Sequence, residues 1–324
     1  MKRLLVLLQF TRFALAFTAV ADAWAFMLLR PPGAAAPGHL VARLLLTALV
    51  AGSVYAFGMT LNDVLDARRD RIFARWRPIP SGRLSPRAGI VIAFSLLLSA
   101  MFGAAMLGAV IARSYVPFSL LVVFAVAVLI VFYNATGKHL GGAGLLTLGV
   151  IRAVDCMVGH PTSSVVILPV FLLTHVALVS TVAYRLEGKR PRLKRKDFLI
   201  VLGSVALGDG LLVGYMALRG ALGAFTQPLI FGPLVAMAAY VLWAAWVLKR
   251  PLPPRKKGEL LILTGLFWLF AYDAGILFAN LQWKAGLAIT ALCFCSIGAF
   301  LLLRAWGRMA RGSPQYRIAR QETL

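Results

Sequence analysis

The stretch NDVLDARRDRIFARWRPIPSG, residues 62–82, gathers acidic side chains in a chain that has few of them. Only 11 of the 324 residues are Asp or Glu, against 34 Lys and Arg, yet Asp63, Asp66 and Asp70 fall within eight positions. If the preceding apolar helix continues through this stretch, Asn62, Asp66 and Asp70 are four residues apart and project from one face. Carboxylates at that spacing repel one another, so the pattern favours a bound cation, and Mg²⁺ prefers oxygen ligands of this kind.

The rest of the chain is strongly apolar. Hydrophobic residues make up 60% of it, charged residues only 14%, and its mean hydropathy is +0.84. The hydrophobic share and mean hydropathy are above those of soluble domains and the charged share is below, which predicts a polytopic membrane protein. We predict an all-α bundle, because the apolar runs are too long for barrel strands and helices pair their own backbone groups in lipid. We expect a single transmembrane domain over residues 1–324 in the cell inner (plasma) membrane.

Ten apolar stretches are long enough to cross the hydrocarbon, which takes about 20 residues. They cover approximately residues 4–29, 40–61, 88–111, 115–133, 141–159, 163–184, 198–218, 228–248, 259–282 and 285–304. We interpret the first stretch as a retained span, because it is too long for a signal peptide and is interrupted by Gln9 and Arg12.

Basic residues concentrate in alternate connections between these stretches. The connections 62–87, 185–197 and 249–258 hold 7, 7 and 5 Lys or Arg, whereas those predicted on the opposite side hold at most 2 each. This asymmetry predicts that both termini are cytoplasmic. It also accounts for most of the net charge of +23 through orientation and attraction to membrane lipids, without a nucleic acid partner.

Two motifs resemble those of a known family. NDVLDARRD followed by RPIPSGRLS resembles the first aspartate-rich motif of the UbiA superfamily of intramembrane prenyltransferases, and YNATGKH at 133–139 resembles the family's Tyr and Lys element after the fourth span. The first six spans fit the family order. The resemblance implies Mg²⁺-dependent transfer of an isoprenoid group from a polyprenyl diphosphate to a lipophilic acceptor, either an aromatic compound or a lipid.

The resemblance also implies roles for individual residues. Those expected to hold Mg²⁺ are Asn62, Asp66 and Asp70, with Asp63 in support. Those expected to act in catalysis are Asp66, Asp70 and Lys138. Those expected to contact phosphate oxygens are Arg77, Lys138 and Arg68, since charge-assisted contacts suit phosphate. The alternatives are an ordinary loop whose acids balance neighbouring arginines, and a Lys138 that only marks the cytoplasmic side.

The sequence departs from the family where a second aspartate-rich motif is expected. That region reads LVSTVAYRLEGKRPRLKRKD at 178–197 and places Ser180 and Tyr184 where acids would stand. Glu187 is the remnant of the motif. Basic residues there either replace the second ion, with Arg185 and Lys189 binding the diphosphate, or only mark the cytoplasmic side: Arg185, Lys189 and Arg190.

This loss leaves two readings, a single-metal enzyme and a non-catalytic UbiA-like lipid-binding or export component. The divergence is similar to that of an EboC-type branch of the superfamily. An unrelated transporter is a third reading. The family usually has nine spans, and the ten counted here differ from that number.

Several ionisable residues lie within the apolar stretches. Arg152 and Asp155 are three residues apart on one predicted helix, which favours an internal ion pair. We expect Asp22 and Asp209, near the outer ends of their spans, to reach water. We interpret His175 as a satisfied core histidine and the three cysteines as small core residues.

Overall fold

Every regular element that the structure describes is helical. The structure is a computed structural model that describes residues 2–29, 38–160, 167–188, 191–218 and 228–309. The α-helices in these ranges are α1 Lys2–Phe10, α2 Phe13–Leu28, α3 Leu40–Leu65, α4 Ala67–Phe73, α5 Pro86–Ile111, α6 Val116–Ala135, α7 Gly142–Cys156, α8 Ile167–Leu186, α9 Arg195–Leu218, α10 Pro228–Lys249, α11 Pro254–Ala279 and α12 Trp283–Met309. The predicted all-α class is confirmed.

Within the described ranges, nine helices are long and apolar enough to cross a membrane. The predicted first span is bent by 45° between α1 and α2, and the two helices form a tenth span if they are counted together. The bend occurs at Arg12, whose φ of 49° and ψ of 42° are left-handed. A non-glycine residue in this conformation interrupts the helical path. The expectation of nine to ten spans is therefore confirmed. The count is nine without the bent pair α1 and α2 and ten with it.

The two largest of four apolar clusters form most of the described interior of the bundle. One joins α3, α5 and α6 through buried residues such as Val54, Ala100 and Val126. The other joins α2, α8, α11 and α12 through residues such as Phe26 and Leu172. Large apolar side chains are exposed along the outward faces of α5, α6, α9 and α10. Such faces suit contact with lipid tails, which are as apolar as the side chains.

A close helix contact brings the 74–85 connection against α5. A Cβ atom at Gly89 would lie 2.9 Å from Cγ2 of Val64 and 3.1 Å from Cδ1 of Ile79. The absence of a side chain at Gly89 therefore lets α3 and the connection pack closely on the start of α5. The α5 helix begins where Ser85 Oγ accepts a hydrogen bond from Ala88 N at 3.1 Å, with Pro86 in the first turn.

The ionisable residues inside the bundle pair differently from the prediction. Arg152 on α7 forms its ion pair with Asp22 on α2, so the expected pair with Asp155 on the same helix is wrong. Asp22 is only 1% exposed and does not reach water, because α7 and α11 enclose it. The carboxyl of Asp273 on α11 lies next to that of Asp22.

The other predictions for the apolar stretches had mixed outcomes. His175 is a satisfied core histidine, as predicted, with its ring nitrogens 2.9 Å from Tyr272 Oη and 3.1 Å from Gly265 O. Asp209 accepts a hydrogen bond from Thr174 Oγ1 at 2.9 Å. Cys156 is buried as expected, whereas Cys295 is exposed.

Candidate active site

The acid-rich stretch lies at a break between α3 and α4. Asp66 has ψ of 2°, so α3 ends at Leu65 and α4 begins at Ala67, and the helix that precedes the acids continues past Asn62 but breaks at Asp66. Hydrogen bonds still run from Asp66 N to Asn62 O at 2.9 Å and from Asp70 N to Asp66 O at 2.8 Å. The four-residue spacing of the acids is therefore kept in the backbone.

Two of the carboxylates converge on one guanidinium. Arg77 Nη1 lies 3.1 Å from Asp63 Oδ1 and 2.6 Å from Asp70 Oδ2. Asp63 also accepts a hydrogen bond from Arg12 Nη2 at 3.3 Å, across the bend between α1 and α2. Arg77 thus bridges two acids that are seven residues apart, at a point that a cation of another kind could also occupy.

The third carboxylate pairs with the lysine of the second motif. Lys138 Nζ lies 2.5 Å from Asp66 Oδ1. Lys138 belongs to the short 3-10 helix Gly137–His139, which directly follows α6. Tyr133 on the last turn of α6 interacts electrostatically with both Asp66 and Tyr184. The end of α6 therefore brings both residues of the predicted Tyr and Lys element to the acid cluster.

The RPIPSG segment forms the turn that holds Arg77 in place. Ser81 N donates to Arg77 O at 3.0 Å, Gly82 N donates to Ile79 O at 3.0 Å, and Gly82 has φ of 71°. A glycine adopts this conformation without the strain that a Cβ atom would add. Pro78 and Pro80 fix their own φ angles on either side of Ile79, which limits the backbone of this turn further.

The electrostatics of the cluster are close to balanced. Asp63, Asp66 and Asp70 face three cations: Arg12, Arg77 and Lys138. Burial raises the pKa of the Asp70 carboxyl above its ordinary value of 3.8, although Arg77 opposes that shift and the charges of Asp66 and Asp63 add to it. Paired charges of this kind can exchange partners when an ionic ligand arrives, because no charge is left uncompensated.

The donor chemistry of the cluster fits Mg²⁺. Within the described ranges, no group of three or more His, Cys, Asp or Glu is arranged so that it could hold a metal ion, so protein ligands alone do not form the site. Mg²⁺ commonly takes one or two protein carboxylates and completes its shell with water and substrate phosphate oxygens. Because Asp63 and Asp70 already converge on one positively charged atom, carboxylate oxygens with the required chemistry are available there.

The remaining predicted residues lie around or away from this cluster. Asn62 is half-buried and makes no hydrogen bond through its side chain to any described residue, and Arg68 is exposed on α4. Arg185 lies over the ring of Phe198 at 5.5 Å from its centroid. Glu187 lies against Gly258 at the start of α11. Lys189 and Arg190 lie outside the described residues.

Sequence reasoning missed two residues that shape this end of the bundle. Arg12 interrupts the first apolar stretch of the sequence, and it contacts Asp63, which lies 51 positions away. Asp197 lies at the end of the basic connection 185–197, and its carboxylate accepts hydrogen bonds from Lys194 N at 2.7 Å and Gly142 N at 3.0 Å. Asp197 thereby ties the start of α9 to the start of α7. An arginine in an apolar run was a signal for the first, but no sequence signal identified the second.

Comparisons with known proteins agree with the class that this fold and site indicate, a helical intramembrane prenyltransferase fold. The family model described as the UbiA prenyltransferase family matches residues 14–270. The chain belongs to the UbiA prenyltransferase family.

Three similar proteins illustrate the relationship. The digeranylgeranylglyceryl phosphate synthase of Hyperthermus butylicus is 30% identical over 184 residues, which cover 54% of this chain and only 58% of that relative. A solved structure described under the name digeranylgeranylglyceryl phosphate synthase has a TM-score of 0.57 at 18% identity and covers 85% of this chain and 99% of its own. A UbiA homologue from Archaeoglobus fulgidus bound to GPP and Mg²⁺ has a TM-score of 0.46 at 15% identity, covering 90% of this chain and 99% of its own. The solved structure with the TM-score of 0.57 supports the assignment of this fold to the chain.

Proposed function

We propose that this protein transfers an isoprenoid group from a polyprenyl diphosphate to a lipophilic acceptor, with the acid cluster after α3 as its active site. The observation that carries the proposal is the meeting of Asp63, Asp66 and Asp70 with cations from three other parts of the chain. Membership of the UbiA prenyltransferase family supports the reaction class.

The proposed site uses an exchange of ionic partners. Asp66 and Asp70, with Asn62 and Asp63, would hold Mg²⁺, which supplies charge stabilisation to the diphosphate leaving group. Arg77 and Lys138 would then be released from the carboxylates to contact phosphate oxygens. This exchange keeps the site near neutrality, because an added cation and an added anion arrive together. Arg77 and Lys138 would stabilise the negative charge that develops as the allylic carbon–oxygen bond breaks.

The acceptor is proposed to be a lipid rather than a water-soluble compound. The name of the Hyperthermus butylicus relative indicates a glyceryl phosphate product that carries isoprenoid groups. Because the match spans 58% of that relative, its activity is extended to this chain only as a proposal. A phosphorylated glycerolipid is the acceptor class that this similarity favours.

A direct assay tests the proposal. Purified protein is incubated with Mg²⁺, a panel of polyprenyl diphosphates and a phosphorylated glycerolipid, and diphosphate release is measured. We expect release by the wild type and a fall of about 10²–10³-fold in Asp66→Asn and Asp70→Asn, the range found when a group that stabilises transition-state charge is removed. Glu259→Gln is the matched control, because Glu259 is an exposed acid that pairs only with Arg255 on its own helix turn.

A binding protein without turnover is the second candidate function. The observation that favours it is that Ser180 and Tyr184 occupy the region of the second acidic motif. It predicts that a non-hydrolysable polyprenyl thiodiphosphate raises the melting temperature of the protein while no diphosphate is ever released. Release that depends on Asp66 would exclude this candidate, whereas binding without release under all conditions would exclude the enzyme.

A further inference from the structure

A basic cavity lies between the end of α8 and the start of α9. Its volume is about 590 Å³, within the range typical of small-molecule sites. The cavity is lined by Tyr184, Arg185, Gly188, Arg192, Leu193, Arg195 and Phe198. Three of these side chains are arginines and none is an acid, so the cavity has the chemistry of an anion site. Guanidinium groups are especially suited to phosphate, which they bind through paired hydrogen bonds.

The basic residues around the cavity outnumber the acids beside them. Residues 185–197 hold seven Lys or Arg and two acids, Glu187 and Asp197. Both carboxylate oxygens of Asp197 accept backbone hydrogen bonds, Oδ2 from Lys194 N and Oδ1 from Gly142 N. Two contacts hold the cavity wall: Tyr184 Oη donates to Pro191 O at 2.9 Å, and the Arg185 guanidinium lies over the Phe198 ring. The cavity therefore has a net positive charge for an anionic ligand.

The cavity also has an apolar side that continues into the membrane. Leu193 and Phe198 are half-buried in its lining. The next turns of α9 expose Leu199 and Leu202, which are 61% and 53% accessible. A ligand with a phosphate head and a hydrocarbon tail matches both parts, because its tail would follow the apolar face of α9. A free phosphate ion would use only the basic part.

A contact at the start of α9 places this cavity near the acid cluster. Asp197, two residues after the cavity residue Arg195, accepts a hydrogen bond from Gly142 N at 3.0 Å. Gly142 lies four residues after Lys138, whose Nζ is 2.5 Å from Asp66 Oδ1. The two sites therefore share one end of the bundle, an arrangement that suits two substrates that react with each other.

We propose that the arginine cavity binds the phosphate monoester of the lipid acceptor and so holds the acceptor beside the acid cluster. The role of this lipid as the acceptor rests on the proposed function. The binding of a lipid phosphate monoester can, however, be measured without any turnover. In this proposal, Arg192 and Arg195 recognise the acceptor, separately from the cations Arg77 and Lys138, which face the acids.

The binding test compares two double variants with equal loss of charge. Arg192→Gln/Arg195→Gln removes two cavity arginines, and Arg87→Gln/Lys256→Gln removes two exposed cations at the same end of the bundle that are not among the residues lining this cavity. Each protein is placed in phosphatidylcholine nanodiscs and titrated with a dialkylglycerol phosphate, and ligand-induced changes in melting temperature give the affinity. We expect the cavity variant to bind at least about tenfold more weakly, since each charge-assisted contact is a substantial part of such an affinity. We expect the control variant to stay within about twofold.

Further ligands distinguish the sources of the phosphate. Dialkylglycerol without phosphate, inorganic phosphate and phosphatidylglycerol, a phosphodiester, should each bind far more weakly than the monoester lipid. Equal loss of affinity in both double variants would overturn the proposal in favour of general surface charge. Equal binding of inorganic phosphate, or of phosphatidylglycerol, would overturn the assignment to a monoester lipid.

The assay of turnover separates this inference from the proposed function. In the active enzyme, the cavity variant should raise the KM for the phosphorylated acceptor about tenfold or more, with the KM for the polyprenyl diphosphate unchanged. Arginine-dependent lipid binding without any diphosphate release would support the lipid-binding inference and contradict the transferase proposal. Transfer with an unchanged KM in the cavity variant would contradict the lipid-binding inference and support the transferase proposal.

Discussion

At the scale of single residues, the acid cluster is defined by Arg77. The arginine lies 14 positions after Asp63 and 7 after Asp70, and the turn at 78–82 directs it back toward both. Its single Nη1 atom satisfies one oxygen of each carboxylate. This contact relieves the repulsion between neighbouring acids that the sequence spacing predicts. Metal binding and ion pairing therefore compete for the same oxygens.

Because the pKa of Asp70 is raised, we expect the stability of the fold and its stabilisation by Mg²⁺ to change in opposite directions with pH. Because the folded metal-free protein holds the Asp70 proton at a pH where the unfolded chain, with a pKa near 3.8, has lost it, acidification through that window favours the folded state. The same protonation removes a metal ligand, so stabilisation by Mg²⁺ is lost as the pH falls through the raised pKa. At a Mg²⁺ concentration of a hundred times Kd, this stabilisation should be about 2.7 kcal/mol when Asp70 is ionised.

Thermal unfolding with and without Mg²⁺ over a series of pH values measures both effects. Asp70→Asn should lose most of the Mg²⁺ response and its pH dependence, and Glu259→Gln should keep both. A variant Asp70→Asn with the wild-type response at every pH would show that Asp70 is not a ligand.

At the scale of the helices, a buried ionic network fastens three of them together. Asp22 on α2, Arg152 and Asp155 on α7 and Asp273 on α11 are each at most 6% exposed. Arg152 is the one arginine in this network and faces its three carboxyls. Its positive charge therefore compensates a buried carboxyl on each of the three helices. Arg152 reaches across to another helix rather than along its own. The ion pair between Arg152 and Asp22 stabilises the packing of α2 on α7, because its two partners lie on different helices.

Removal of that arginine should therefore destabilise the bundle strongly. We expect Arg152→Met to lower the free energy of unfolding by about 3–5 kcal/mol, because it leaves buried carboxyls without their cation. Arg113→Met is the control, since Arg113 is exposed in the connection after α5 and should change stability very little. Unfolding is followed by loss of helical circular dichroism in detergent. Equal stability of the two variants would contradict a role for the network in holding the helices.

At the scale of the whole molecule, successive spanning helices run in opposite directions, so alternate connections and their functional residues meet at one end of the bundle. The end of α3, the turn before α5, the end of α6 and the connection from α8 to α9 all lie there, joined by contacts of Arg77, Lys138 and Asp197. The basic connections predicted to be cytoplasmic are the ones at this end. The proposed diphosphate site and the arginine cavity would therefore both open toward the cytoplasm.

Side-specific labelling tests that orientation. Single cysteines at Arg87, Lys256 and Ser114, all exposed positions, are introduced after replacement of Cys156, Cys293 and Cys295. In sealed inside-out vesicles, we expect a membrane-impermeant maleimide to label the first two and not Ser114→Cys, since six helices separate Arg87 from Lys256 and one separates it from Ser114. The reverse pattern would invert the predicted topology, and labelling of only one of the first two would change the number of spans.

The sequence by itself determined the class of fold, the spans, the acid-rich stretch and its turn, because each depends on short-range properties. Hydropathy over about 20 residues identifies a span, and the spacing of Asp63, Asp66 and Asp70 within one stretch identifies a candidate cation site. The Pro and Gly residues at 78–82 limit the backbone directly. None of these features requires knowledge of which helix lies beside which.

Only the tertiary structure decided which charges meet. Asp66 pairs with Lys138 across 72 positions, Asp63 pairs with Arg12 across 51, and Arg152 chooses Asp22 over the nearby Asp155. The arginine cavity likewise needs α8, α9 and their connection together. The physical reason is that apolar helices in lipid have similar surfaces, so their lateral order depends on close packing and on the few polar contacts they can make. Those contacts are satisfied by neighbours in space, and the spacing of residues along the chain does not identify them.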